Sequence, residues 1–144
     1  MPERAAELKN VPLFSGLSQR QLRRLAAHFR ERTVPLGTTL VRQGEMSGVD
    51  FFVIAEGAAA VQVDGAEVAR LGPGDYFGEL ALIGERVRTA TVTAASDLRC
   101  LVAASWDFRR FVRDNPDVSW KLLQHLAGLL TEEPGSGRSA RRSD

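Results

Sequence analysis

The chain has 144 residues, of which 44% are hydrophobic, and its 19 basic and 18 acidic side chains leave a formal net charge of +1. This length predicts one domain with a buried core and no second domain. The charge balance gives no electrostatic attraction to nucleic acid or to an anionic membrane. No apolar signal region or membrane-spanning run is present, which predicts a cytoplasmic protein with no membrane partner.

The first predicted element is a helix over about residues 19 to 29. Ser18 and Gln21 form a capping-box pattern, in which each side chain bonds to the backbone N–H of the other residue. Apolar residues then recur at helical spacing, at Leu22, Leu25, Ala26 and Phe29. Residues 1 to 10 are interpreted as an N-terminal extension.

From Thr33 to Val102 the sequence consists of short segments of β-branched and apolar residues, separated by turn formers at roughly regular intervals. This pattern predicts an antiparallel sandwich or barrel. The clearest hairpin surrounds Asp64 and Gly65, because an Asp-Gly pair accepts the positive φ of a type I′ turn.

Two further helices are predicted after the strands. Ser105 is a plausible N-cap of the first, and Asn115 and Pro116 end it and begin the second. The second helix carries two apolar stripes, Val118, Leu122, Leu126 and Leu129 on one and Trp120, Leu123, Ala127 and Leu130 on the other. One stripe can pack on the strands, which leaves the other to cover a ligand or pair with a second chain, unless both are buried in one monomer. The polar segment 132–144 is predicted to be a disordered tail.

The segment 77–90 interrupts the strand pattern. After Gly78, a run of good helix formers would direct its free N-terminal N–H groups and its positive dipole end toward the turn, which suits an anion. Arg88 is close enough in sequence to add a charged, bidentate donor. Glu79 would then accept a hydrogen bond from a hydroxyl of the same ligand. By spacing alone, Glu79 and Arg88 are also compatible with two solvated surface charges.

This segment resembles the phosphate-binding cassette of the cyclic nucleotide-binding domain family. The matching positions are Phe77, Gly78, Glu79, Leu80, Ala81, Leu82, Arg88 and Ala90, and the resemblance extends from about Val11 to about Leu130. Val87 stands where the family commonly has proline, which removes no ligand group.

The resemblance implies a role for each matched residue. Glu79 would hold the ribose 2′-hydroxyl and Arg88 the cyclic phosphate. Backbone amides of the turn would complete the cradle, at Gly78, Leu80, Ala81 and Thr89.

The implied fold is mainly β with flanking helices, in the α+β class. It is an antiparallel β jelly-roll barrel with an N-terminal helix, a short helix in the cassette and two C-terminal helices. The corresponding division of the chain is an N-terminal extension over 1–10, a cyclic nucleotide-binding domain over 11–131 and the tail over 132–144.

The leading functional hypothesis is therefore a regulatory module that binds a cyclic nucleotide, with cyclic AMP favoured over cyclic GMP as the ligand. It would signal to an unknown effector protein by movement of its C-terminal helix. The same helix offers a surface for a homodimer. An enzyme is disfavoured, because only His28 and His125 are available as imidazole ligands and no catalytic metal or other cofactor is indicated. The residues after Leu130 are too few to form a helix-turn-helix, so no direct DNA binding is expected. The alternative is a related interaction domain that binds no nucleotide and acts through a protein partner.

Overall fold

The computed structural model describes residues 2–45, 50–78 and 90–130. Its helices are α1 (Pro2–Lys9), α2 (Gln19–Ala26), α3 (Ser105–Asp114) and α4 (Pro116–Leu130), and a 3-10 turn spans Pro12–Phe14. Its strands are β1 (Arg30–Val34), β2 (Thr39–Val41), β3 (Asp50–Glu56), β4 (Ala59–Val63), β5 (Ala66–Leu71), β6 (Tyr76–Phe77), β7 (Thr91–Ala94) and β8 (Leu98–Ala104).

The strands form two four-stranded sheets. The first has the order β1-β8-β3-β6 and the second the order β2-β7-β4-β5. All these neighbours pair antiparallel. The result is a jelly-roll-like sandwich with flanking helices, which confirms the predicted fold class. In the described ranges the sheets remain two separate layers and do not close into a barrel. The predicted cassette helix and the predicted tail 132–144 lie outside the described residues.

The central strands β3 and β8 of the first sheet are buried on both faces, whereas most of β1 is exposed. Along β3, Phe52 and Ile54 face the sandwich core, whereas Phe51 and Val53 belong to a second core under the helices. The side chains of a strand alternate between faces, so a continuous apolar run is the sequence that a strand covered on both faces requires. The sandwich core also contains Val34, Val41, Ala59, Val61, Leu71, Phe77, Ala90, Val92, Ala94, Leu98, Cys100 and Val102.

The second core is rich in aromatic rings and joins the helices to the first sheet. The ring of Phe14 lies 6.5 Å from that of Phe29, 6.3 Å from that of Phe51 and 6.1 Å from that of Phe108. Leu8 of α1 is fully buried in the same cluster. The segment interpreted as an N-terminal extension is thus a helix packed on the sandwich.

An ion-pair network centred on Arg99 of β8 fastens α1 to the strands. Its guanidinium donates to Glu7 of α1, to Glu31 of β1 at 3.2 Å and to Glu56 of β3 at 2.6 Å. Hydrogen bonds to Glu7 and then to Glu56 raise the pKa of Arg99 above its usual value.

No helix in the described residues is long and apolar enough to span a membrane.

Helix α2 begins as predicted and ends earlier. The capping box is confirmed, since Gln21 N donates to Ser18 Oγ at 3.1 Å and Ser18 N to Gln21 Oε1 at 2.9 Å. The helix stops at Ala26 rather than near Phe29. The chain must already be extended at Arg30, which pairs with Val102 of β8.

The helix caps after the strands differ from the prediction. Ala104, and not Ser105, is the N-cap of α3, because Ala104 is still extended and paired with Asp50. The joint between α3 and α4 falls at Asn115 and Pro116 as predicted. The amide of Asn115 donates at 2.8 Å to the carbonyl of Phe111, so its side chain serves the end of α3.

Candidate functional site

The segment with the anion-binding pattern connects the two sheets. It leaves β6 at the edge of the first sheet and re-enters at β7, between β2 and β4 of the second sheet. The predicted site residues Glu79, Leu80, Ala81, Arg88 and Thr89 lie outside the described residues, whereas Gly78 is described. The described part of the site therefore consists of the two ends of this segment, at Phe77 and Gly78 after β6 and at Ala90 before β7. We call these ends its anchors.

The first anchor is fixed by strand pairing and ring stacking. Tyr76 pairs with Val53 and Phe77 with Phe52. The Phe52 and Phe77 rings are nearly parallel, with an interplanar angle of 8° and centroids 4.6 Å apart, and both are buried in the sandwich core. The segment therefore starts from a rigid point.

A tight turn directly before β6 adds to this anchor. Asp75 Oδ2 accepts from the backbone N–H of Gly72 at 2.8 Å, and Asp75 N donates to the Gly72 carbonyl at 3.0 Å. Ile54 of β3 then donates to the Asp75 carbonyl and accepts from Gly74 N, both at 2.9 Å. The sequence 72–75, Gly-Pro-Gly-Asp, thus has a structural role in placing β6 against β3.

Gly78 is the residue at which the chain turns away from the first sheet. Its φ is +87°, in the left-handed region that glycine adopts without a steric penalty. A side chain at this position would be strained. This geometry agrees with the predicted place of Gly78 in the turn, and its contact with a ligand remains a prediction.

The second anchor is the start of β7. Ala90 is fully buried in the sandwich core, and Val92 beside it pairs with Val41 of β2 and Val61 of β4. The hydroxyl oxygen of Thr91 accepts a 2.9 Å hydrogen bond from the backbone N–H of Gln43. The sequence analysis did not identify this contact, because the two residues are 48 positions apart.

The sandwich core that contains Phe77 and Ala90 is not completely covered. Leu40, Val63 and Ala69 pack against it and remain only partly buried, and all three belong to the second sheet. Partly exposed apolar side chains of this kind can form the wall of a site for a flat, weakly polar group.

The last helix presents an apolar face with no described neighbour. Val118 is buried, whereas Trp120 is 61% exposed and Leu123 is 56% exposed. This arrangement agrees with one packed and one uncovered stripe over these positions. The start of α4 is also held by α2, because the Gln21 amide donates to Asp117 and Lys121 Nζ donates to Gln21 Oε1 at 3.2 Å.

Among the side chains that could serve catalysis, His28 is partly buried and Cys100 is buried. The described residues include no group of three His, Cys, Asp or Glu side chains placed to hold a metal ion. His28 packs against the ring of Phe111, with centroids 5.7 Å apart. Burial raises the pKa of the Cys100 thiol to about 11, which keeps it protonated and weakly nucleophilic at neutral pH.

The sequence model for the cyclic nucleotide-binding domain matches residues 31–115, more than half of the chain. The chain belongs to this family. The matched range begins in β1, ends after α3 and contains both sheets together with the segment that connects β6 to β7. The family resemblance inferred from the cassette motif is thereby confirmed.

Two curated relatives and one solved structure illustrate the similarity. The chain is 38% identical over 109 residues to a cyclic nucleotide-gated potassium channel of Mesorhizobium japonicum, covering 76% of this chain and 30% of the channel. It is 32% identical over 130 residues to the cyclic AMP receptor protein of Thermus thermophilus, covering 87% of this chain and 60% of the receptor. The chain thus spans less than two thirds of either relative.

The solved structure is the N-terminal domain of a transcriptional regulator from Streptomyces coelicolor. It superposes with a TM-score of 0.76 at 32% sequence identity, and the match covers 86% of this chain and 91% of that domain. The fold of this chain is therefore shared with nearly the whole of that solved domain.

Proposed function

We propose that this protein is a regulatory module that binds a cyclic nucleotide through residues 77–90 and catalyses no reaction. The observation that carries the proposal is the cassette motif, which departs from the family pattern at Val87 alone, in the connection between β6 and β7 of a family member. Both ends of that connection are rigid, at the stacked Phe77 and the buried Ala90. Fixed ends allow the intervening polar groups to be held ready for a ligand, which lowers the entropy cost of binding.

In this proposal each polar group of the cassette has a separate task. Arg88 supplies a permanent cation and two parallel donors to the cyclic phosphate, while Glu79 accepts from the ribose 2′-hydroxyl. Backbone N–H groups of Gly78, Leu80, Ala81 and Thr89 supply the remaining donors. Partly exposed apolar residues of the second sheet, such as Val63, form the wall against the nucleoside.

We propose cyclic AMP as the preferred ligand, because a relative that is 32% identical over most of this chain is a cyclic AMP receptor protein. Calorimetric titration of the wild-type chain with cyclic AMP, cyclic GMP and 5′-AMP tests this. We expect saturable one-to-one binding that is tightest for cyclic AMP and weakest for the open 5′-AMP. If no nucleotide produces heat or saturation, the protein is instead an interaction domain that acts through a protein partner.

Replacing Glu79 with alanine is expected to weaken cyclic AMP binding by about 1 to 3 kcal/mol, because the ribose hydroxyl loses a charged acceptor and recovers only water. The loss should vanish when wild type and variant are compared with 2′-deoxy cyclic AMP in the same calorimeter. An equal loss with both nucleotides would show that Glu79 acts by holding Arg88 and not by contacting the sugar.

We further propose that the ligand signals through α4. Its outward face carries Trp120 and Leu123, which are large apolar side chains that gain free energy when they are covered. A ligand that contacts this face in one helix position and not in another shifts the helix toward the first position. The same face can pack against a second copy of the chain or against an effector protein in the cytoplasm.

A further inference from the structure

Gln43, in the turn after β2, joins three separate parts of the second sheet. Its backbone N–H donates to Thr91 Oγ1 at 2.9 Å. Its side-chain oxygen accepts from the backbone N–H of Asp64 at 2.8 Å, and its side-chain nitrogen donates to Asp64 Oδ1 at 3.0 Å. One residue therefore connects the turn after β2, the β4–β5 hairpin and the first residue of β7.

The backbone conformation of both turns fits this role. Asp64 has φ of +53° and Gly65 has φ of +84°, which confirms the predicted type I′ hairpin, and Gly44 next to Gln43 has φ of +85°. A type I′ turn matches the twist of the two strands that it joins, which holds Asp64 at the end of the β4–β5 hairpin. The paired hydrogen bonds between Gln43 and Asp64 thus fix the position from which the Gln43 N–H reaches Thr91.

Thr91 lies directly after the buried Ala90 and three positions after Arg88. It pairs with Gln62 on β4, and its hydroxyl oxygen accepts the hydrogen bond from Gln43 in the turn after β2. We propose that Gln43 and Thr91 are positioning residues for the ligand site, which set ligand affinity by fixing the place at which the cassette re-enters the sheet. This assignment rests on the proposed function of residues 77–90.

The expected effect is modest because the bond is neutral and lies close to solvent. A single hydrogen bond of this kind changes an equilibrium by about 3- to 10-fold. Thr91→Val removes the acceptor at nearly constant volume and is expected to raise the dissociation constant for cyclic AMP by that factor. Thr91→Ser retains a hydroxyl and is expected to bind within about 2-fold of wild type, because one oxygen restores the bond.

Thr93→Val provides a matched control. Thr93 lies on the same face of β7 and is partly buried like Thr91, but within the described residues its hydroxyl makes no hydrogen bond. Cyclic AMP affinity and thermal midpoint should be measured for wild type, Thr91→Val, Thr91→Ser, Thr93→Val and Gln43→Ala. Gln43→Ala tests the same link by removing the amide that holds Asp64, and it covers the case in which Thr91→Val does not fold.

The expected result is weaker binding by Thr91→Val and Gln43→Ala, with Thr91→Ser and Thr93→Val close to wild type. If Thr91→Val binds as tightly as Thr93→Val while wild type binds normally, the positioning assignment is wrong and the proposed function stands. If both valine variants lose affinity in proportion to a drop in their thermal midpoint, the positioning assignment is also wrong. The effect would then be general destabilisation. A wild-type chain that binds no nucleotide overturns the proposed function and this assignment together.

Discussion

Replacing Arg88 with glutamine is expected to weaken cyclic nucleotide binding by about 2 to 5 kcal/mol, or roughly 30-fold to several thousand-fold in dissociation constant. In the proposed complex the phosphate is partly removed from water, and glutamine cannot supply the charge that offsets this cost. Its amide also replaces the planar, charged fork of the guanidinium with one neutral NH2 group. Calorimetric titration of both proteins with cyclic AMP and cyclic GMP measures the difference.

Arg24→Gln is a suitable control, since Arg24 is an exposed residue of α2, outside the cassette. It removes the same charge from the protein and should leave both affinities within about 2-fold of wild type, because exposed charges are screened by salt. If Arg88→Gln bound either nucleotide as tightly as this control, the assignment of the phosphate site to Arg88 would be wrong.

Replacing Phe51 with alanine is expected to lower the free energy of unfolding by about 3 to 5 kcal/mol, which is typical of removing a buried aromatic ring. Phe51 is fully buried, and its ring centroid lies within 6.3 Å of those of Phe14, Phe29, Tyr76 and Phe108. The resulting cavity would separate the helix layer from the first sheet. Urea denaturation followed by circular dichroism measures the change.

Leu36→Ala is the control for this variant. Leu36 is a large apolar residue in the turn after β1, but it is 66% exposed, so its truncation should cost less than about 0.5 kcal/mol. Equal losses for the two variants would contradict the view that the ring cluster under the helices holds the molecule together.

The β-rich part of the fold was predictable where the sequence itself contains the signal. Phe51 to Ala55 is a continuous apolar run, and β3 is buried on both faces as such a run requires. The Asp64-Gly65 hairpin followed from the backbone preferences of two residues. Strand β1 was missed before Thr33, because Arg30, Glu31 and Arg32 are exposed and only the pairing with β8 makes them a strand.

The candidate site was predictable as a motif and not as a set of tertiary contacts. The left-handed turn at Gly78 follows from a glycine in a local pattern. In contrast, the Gln43 contacts with Asp64 and Thr91 depend on the register of three strands, which no local pattern specifies. The Arg99 network could not be predicted for the same reason. Arg99 is one arginine among several, and its ion pairs with Glu7 and Glu31 form only when distant segments of the chain come together.

Hydrogen–deuterium exchange of the wild-type chain, with and without saturating cyclic AMP, tests the central claim most directly. We expect slower amide exchange across residues 77–90, where the ligand binds, and across residues 117–130, where the last helix is stabilised in one position. Protection of residues 77–90 alone would retain the binding site and exclude signalling through the helix. Unchanged exchange across residues 77–90 at saturating nucleotide would contradict the account as a whole.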